Sequence, residues 1–282
     1  MKPFITTLAI VVSLLFAVPA PAVEAGVVKV GVEGTAAKKA AILELLFRKA
    51  KKALVTAAQD RNFSQYFSAR PRLAEKSRIK ERIDRISLSV QSRFHVEEMC
   101  LINVEGAEIS RIVGKQIAND LDPDETDAIF FKPGFEQKPR KVYVSPAYMS
   151  GDADMWVVAF TTPILVADEK RAILHYEHPL TVYQNALNKG MSGDERFIVA
   201  VNADGWIVSD SRKPISIEKS GGSEAPQAYF EKFEFFGMNA DRIKSIVDGA
   251  GVLSAGGETY TADYKTVEHW TLFVFERQNS VL

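Results

Sequence analysis

Residues 101–110 read LINVEGAEIS, and residues 200–209 read AVNADGWIVS. Asn103, Glu105, Gly106, Ile109 and Ser110 recur at the same spacing as Asn202, Asp204, Gly205, Val208 and Ser209. Each stretch reads as an apolar strand, a tight turn closed by a glycine that can take positive φ, and a second strand. One such hairpin is common. Two, in the same context, point to a module built twice.

The echo extends beyond the hairpins. Downstream of the first lie a helical stretch, then KVYVSPAY with Tyr143 and Tyr148, then DMWVVAFTTPILV with Trp156. Downstream of the second lie helical stretches, then Tyr260 and Tyr264, then a strand carrying Trp270. The repeat is about ninety residues, too long and too few for a solenoid. Each copy can form a small antiparallel sheet with helices beside it, an α+β arrangement.

Two helices should precede the repeats. Thr35 to Phe67 is rich in Ala, Leu, Lys and Arg and contains neither Gly nor Pro, so it reads as one long helix. Leu46, Ala50, Leu54 and Ala57 share a face. After Pro71, Ile79, Ile83, Ile86, Val90 and Phe94 make the stripe of a second helix. The basic residues Lys76, Arg78, Lys80, Arg82 and Arg85 lie mostly off that stripe and read as a solvated face. Short helices are also expected over 120–131, opened by Asp122 and Pro123, over 228–237 and over 240–251.

The chain has 282 residues, 46% hydrophobic and 25% charged, with a formal charge of −1. Nothing here calls for nucleic acid. Lys2, the apolar run Phe4 to Val18 and PAPAVEAG together read as a signal peptide over 1–25, cut after Ala22 or Ala25. An uncleaved anchor is the alternative, although the run is short for a span. The expected location is periplasmic or secreted. Cys100 is the only cysteine and reads as a small buried hydrophobe.

In order and spacing, the long helical lead-in, LINVEGAEISRIVG, VYVSPAYMSGDADMWVVAFTTPI, ILHYEHPL, FIVAVNADGWIVSD and GETYTADYKTVEHWTLFVFE resemble the extracytoplasmic double Cache (PAS-like) sensor family. The resemblance implies a helical lead-in over 26–95, a membrane-distal PAS-like module over 96–190 that binds ligand, and a membrane-proximal module over 191–282. It also implies a small-molecule sensor that passes its signal onward, and pairing of copies through the long helix. Leu46, Leu54 and Ile83 could serve that pairing or pack on their own modules. Relatives usually continue into a membrane helix and a signalling domain; this chain ends at Leu282, so a membrane signalling partner is expected to carry the signal.

The pocket departs from the family's amino-acid receptors. Their Arg-x-Trp-Tyr, which grips a ligand carboxylate, is replaced by Asp154, Met155, Trp156 and Val157. Their amine-holding Asp is matched by Glu177. Tyr143, Tyr148 and Trp156 supply aromatic faces, and Asp152, Asp154 and Glu177 supply charge. Such a site suits an ammonium or other small cation without a carboxylate. The plainer reading makes the rings core and the aspartates surface.

Other chemistry is weakly supported. His175 and Glu177 share a strand face, with His178 opposite, and a metal there would need a third ligand such as Asp152 or His95. A hydrogen-bonded His175 and a surface His178 are the simpler expectation. Asp120, Asp122 and Asp124 begin like a calcium loop, but Glu125 and Phe131 stand where Gly and Glu belong. No nucleophile elbow, catalytic-cysteine context or phosphate loop is present. We therefore expect no enzyme, metal or cofactor, His175 joining the ligand site. The competing class is an interaction or structural envelope protein that keeps the fold without a working pocket.

Overall fold

A computed structural model describes residues 32, 34–68, 72–94, 96–191, 193–213, 231–249 and 251–278. The signal segment, His95, the Ser220–Ser223 loop and the start of the 228–237 stretch lie outside the described residues. The expected long helix is two. Helix α1 (Thr35–Ala58) buries Leu43, Phe47, Ala50, Leu54 and Ala57 on one face. It stops before Asp60, whose extended backbone and carboxylate, accepting from Asn62 N at 2.9 Å, cap α2 (Arg61–Phe67). Helix α3 (Leu73–Arg93) follows. It buries Ile79, Ile83 and Val90 and leaves Lys76, Arg78, Arg82 and Arg85 exposed.

Two antiparallel sheets come next. The first holds β1 (Glu98–Asn103), β2 (Glu108–Val113), β3 (Gln116–Ile117), β4 (Tyr143–Ser150), β5 (Met155–Val166) and β6 (Glu169–Pro179), in the order β3-β2-β1-β6-β5-β4. Helix α4 (Phe131–Glu136) sits between β3 and β4, and α5 (Leu180–Asn188) leads out of the sheet. The second holds β7 (Arg196–Asn202), β8 (Ile207–Asp210), β9 (Val252–Ala255), β10 (Glu258–Val267) and β11 (Trp270–Arg277), in the order β8-β7-β11-β10-β9, with α6 (Ala240–Gly249) before β9. Apart from β3, the two strand orders are identical. The fold is α+β, with two tandem modules behind an N-terminal helix.

The duplication reaches individual hydrogen bonds. Asn103 Oδ1 accepts from the backbone N–H of Glu105 (3.0 Å) and Ala107 (2.9 Å), and Asn202 Oδ1 accepts from Asp204 (3.0 Å) and Trp206 (2.9 Å). Each asparagine thus ties down its own turn, while Gly106 (φ 90°) and Gly205 (φ 83°) supply the left-handed backbone. Both hairpins also pin a later loop. Gly106 C=O accepts from Glu125 N and Gly205 C=O from Phe233 N, each at 2.9 Å. Glu108 N donates to Asp122 C=O and Ile207 N to Glu231 C=O, again at 2.9 Å.

Those pinned loops replace two expected helices. Residues 120–130 are irregular, because Asp122 and Asp124 turn their carboxylates back onto the N–H groups of Asp124 and Thr126 (2.9 and 3.1 Å). In the second module 231–238 forms bridges and a turn rather than a helix, since its aromatic rings pack onto the sheet. Strand order also corrects the tryptophan echo. Trp270 lies on β11, the counterpart of β6, whereas Trp156 lies on β5, the counterpart of β10.

Helix α1 lies against one face of both sheets. Phe47 stacks on Tyr183 of α5 (centroids 5.0 Å apart) and meets Trp270 edge-on (5.6 Å) and Phe160 of β5 (6.1 Å). Lys39 Nζ donates to the C=O of Lys189 at 2.6 Å, and Tyr176 OH donates to the C=O of Ala50. Leu54 and Ile83 are fully buried within the chain, so they serve their own core rather than a contact between copies. Among the described residues no helix is long and apolar enough to cross a membrane.

Candidate functional site

The first sheet is buried on both faces, and the alternation of its strands assigns each side chain to one of them. Met99 and Leu101 of β1 and Leu174 and Tyr176 of β6 join the core beneath α1. Glu98, Cys100 and Ile102 point the other way, beside Glu177, His175 and Ile173 across the β1–β6 pairing. On that second face lies a cavity of about 580 Å³, roofed by residues 122–130 and bounded by Tyr148 to Asp152 at the end of β4.

Seven carboxyl groups line the cavity: Glu98, Glu108, Asp122, Glu125, Asp127, Asp152 and Glu177. No Lys or Arg is among the described lining residues. Arg111 stands beside the wall and is already held by Asp120 (2.9 Å), Asp152 (3.0 Å) and Glu108 (3.5 Å). Tyr148 OH donates to Glu177 Oε1 at 2.5 Å, with Ser150 and Glu98 also beside Glu177 and Cys100 beside Glu108. The ring of Phe130 lies flat on His175, with centroids 3.8 Å apart.

Burial sets the protonation of this wall. It raises the carboxyl pKa of Glu98, with the Glu177 charge adding to it, well above the usual range. Glu177 and Glu108 are also raised, chiefly by burial. Glu125 is pushed up to about 7 by burial and then by Glu108, Asp122, Asp152 and Glu177. Burial lowers His175 to about 3, so its ring is neutral at ordinary pH. The cavity thus keeps protons on its most buried carboxyls, which a bound cation would displace, while Arg111 pairs with Glu108 and Asp152.

The second module fills the corresponding face differently. Aligned through the hairpins and the β7–β11 register, Glu98 corresponds to Phe197, Glu177 to Phe275, His175 to Phe273 and Glu125 to Phe233. Phe197 stacks on Phe275 (4.8 Å) and Phe233 on Phe273 (5.1 Å). One copy fills the face with rings; the other lines it with carboxyls.

Of the residues singled out from sequence, Tyr148, Asp152, His175 and Glu177 come together at the cavity. Trp156 does not: it is 2% exposed and packs in the core on the α1 side. Asp154 sits in the β4–β5 turn at φ 50°, and Tyr143 packs near Phe130 and Ile173 without lining the cavity. His178 is buried, not on the surface, and contacts Tyr183 OH through Nδ1 at 2.8 Å. His175 is stacked rather than hydrogen-bonded, both ring nitrogens lacking a partner. Glu98, Cys100, Glu108, Glu125 and Phe130 were not singled out. The signal for Glu98 was available: a glutamate two residues from Cys100 in an otherwise apolar strand shares its face.

Comparison with solved structures places this architecture. The sensory domain of the Campylobacter jejuni chemoreceptor Tlp3 with isoleucine bound superimposes with a TM-score of 0.61 at 13% identity, over 87% of this chain and 93% of that one. The extracellular domain of the putative histidine kinase vpHK1S-Z8 gives 0.60 at 16% identity, over 90% and 96%. This is the double Cache fold. The ligand-binding domain of the Pseudomonas fluorescens chemoreceptor CtaA with L-serine gives 0.55 at 11% identity, over 87% and 95%. At such identities the likeness establishes the fold alone. No family model and no curated protein sequence matches the chain.

Proposed function

We propose that this chain is an exported double Cache sensor whose first module binds a small organic cation lacking a carboxylate, such as an alkylamine. One observation carries the reading. The cavity lined by seven carboxyls and no Lys or Arg occupies the face that phenylalanines fill in the second module. An ammonium entering it displaces protons from the buried carboxyls and then faces carboxylates and the rings of Phe130 and Tyr148, attractions that are stronger away from water. A ligand carboxylate would find no Lys or Arg among the described lining residues. The open cavity also favours a sensor over an envelope protein with the fold alone. Binding alters the roof at 122–130 and the strands that rest on α1, and the signal passes to a membrane partner. The apolar side chains that α1 leaves exposed, Ile42 and Leu45, are where a second copy would dock.

A thermal-shift panel on the purified protein tests this. Alkylamines and quaternary ammoniums should raise the melting temperature of the parent and not of Glu177→Gln. Stabilisation by carboxylic acids, with none from amines, would overturn the reading.

A further inference from the structure

We propose that the floor of the cavity contains a binding site for a thiophilic divalent metal of the zinc class, formed by Glu98, Cys100 and Glu108. One ligand atom from each of these residues lies within 4.8 Å of the others, and all three side chains are buried. Cys100 Sγ donates its single proton to Glu98 Oε1 at 2.9 Å. Glu108 Oε1 is buried with no hydrogen bond of its own, Glu108 being only 5% exposed, and the carboxyl lies beside the same thiol. Its other oxygen is engaged, accepting from Asp122 N at 2.7 Å. The thiol and a carboxyl oxygen of each glutamate thus meet at one buried spot.

A cation at that spot answers all three groups at once. It replaces the thiol proton and the proton that the Glu98 carboxyl holds, both of which leave to solvent, and binds the resulting thiolate with one oxygen from each glutamate. One sulfur and two carboxylate oxygens suit zinc, which accepts both ligand types in tetrahedral geometry. Calcium and magnesium prefer oxygen alone. All three residues line the cavity, so water or a ligand atom there would complete the shell. The glutamates come from adjacent antiparallel strands, so the site is held by sheet register rather than by a loop. The metal site is separate from the question of which organic cation fills the wider cavity, and neither requires the other.

Cadmium serves as the probe, because cadmium–thiolate bonds absorb in the near ultraviolet and the chain has one cysteine. Titrating the amine-free protein should give a saturable band at one ion per chain, reversed by excess zinc. Changing a group that merely orients a ligand costs about 10–100-fold in metal affinity, so Glu108→Gln, which removes a ligand itself, should weaken binding by at least roughly tenfold. Cys100→Ser, nearly isosteric, should abolish the band and keep the parent circular dichroism spectrum. Absence of the band at saturating cadmium, or a Glu108→Gln titration that overlays the parent, overturns the site. Amines that still raise the melting temperature in either case leave the cation-pocket reading standing.

Discussion

Replacing Glu125 by Gln should make the ligand-free protein more stable at about pH 8 and leave it unchanged at about pH 4. Glu125 stands in the cavity wall with its carboxyl raised from 4.5 to about 7. In that window the folded chain holds a proton that the unfolded chain has released. Stability therefore falls as the pH rises from 4.5 to about 7, and the loss is complete above it. Each unit of that difference corresponds to about 1.4 kcal/mol, an upper bound of roughly 3 kcal/mol. Glu125 is only half-buried, so solvent screening reduces this to on the order of 1–2 kcal/mol. For a chain of this size a kcal/mol moves the midpoint by about 2–4 °C, which predicts a gain of about 3–6 °C. Thermal unfolding followed by circular dichroism at several pH values measures it. A gain of equal size at low and high pH would refute the reasoning, as would a loss at high pH. Saturating amine should reverse the order of the two proteins, since the charge that destabilises the empty cavity is one the cation uses.

The two turn glycines should respond differently to alanine. A Cβ at Gly205 meets nothing within 4 Å, so Gly205→Ala carries only the left-handed backbone penalty of about 1–2 kcal/mol. At Gly106 the Cβ would lie 2.7 Å from Thr126 Cγ2 and 2.8 Å from Asp124 Oδ1, adding about 1–3 kcal/mol and disturbing the cavity roof; urea unfolding compares the pair. Trp156→Phe should cost about 1–3 kcal/mol of stability without changing amine affinity in calorimetry, because the ring faces α1. Tyr148→Phe should weaken amine binding about tenfold as Glu177 loses its donor.

The hairpins were legible because their chemistry is local. Asn103, Gly106, Asn202 and Gly205 carry the turn in four or five consecutive residues, and α3 announced itself by its stripe. The sites of failure share a cause. Strands β1, β5 and β6 are buried on both faces, so hydrophobicity does not alternate along them and the cavity side of each could not be read. Trp156 was therefore assigned to the pocket, and Glu98 and Cys100 were passed over. Asp60 split the long helix by a capping bond that composition conceals. The 120–130 and 231–238 stretches look helical by residue type, yet their backbone groups are claimed by hairpins more than a dozen residues away.

The central claim is that the cavity discriminates by charge, accepting an ammonium and rejecting a carboxylate. A matched pair isolates that difference: isobutylamine, and L-valine, which is the same skeleton bearing a carboxyl group. Isothermal titration calorimetry on the ligand-free protein should give one site per chain for isobutylamine, weakened as the pH falls through about 7, where Glu125 takes up its proton. L-valine should give no heat of binding. Tighter binding of L-valine than of isobutylamine would contradict the account.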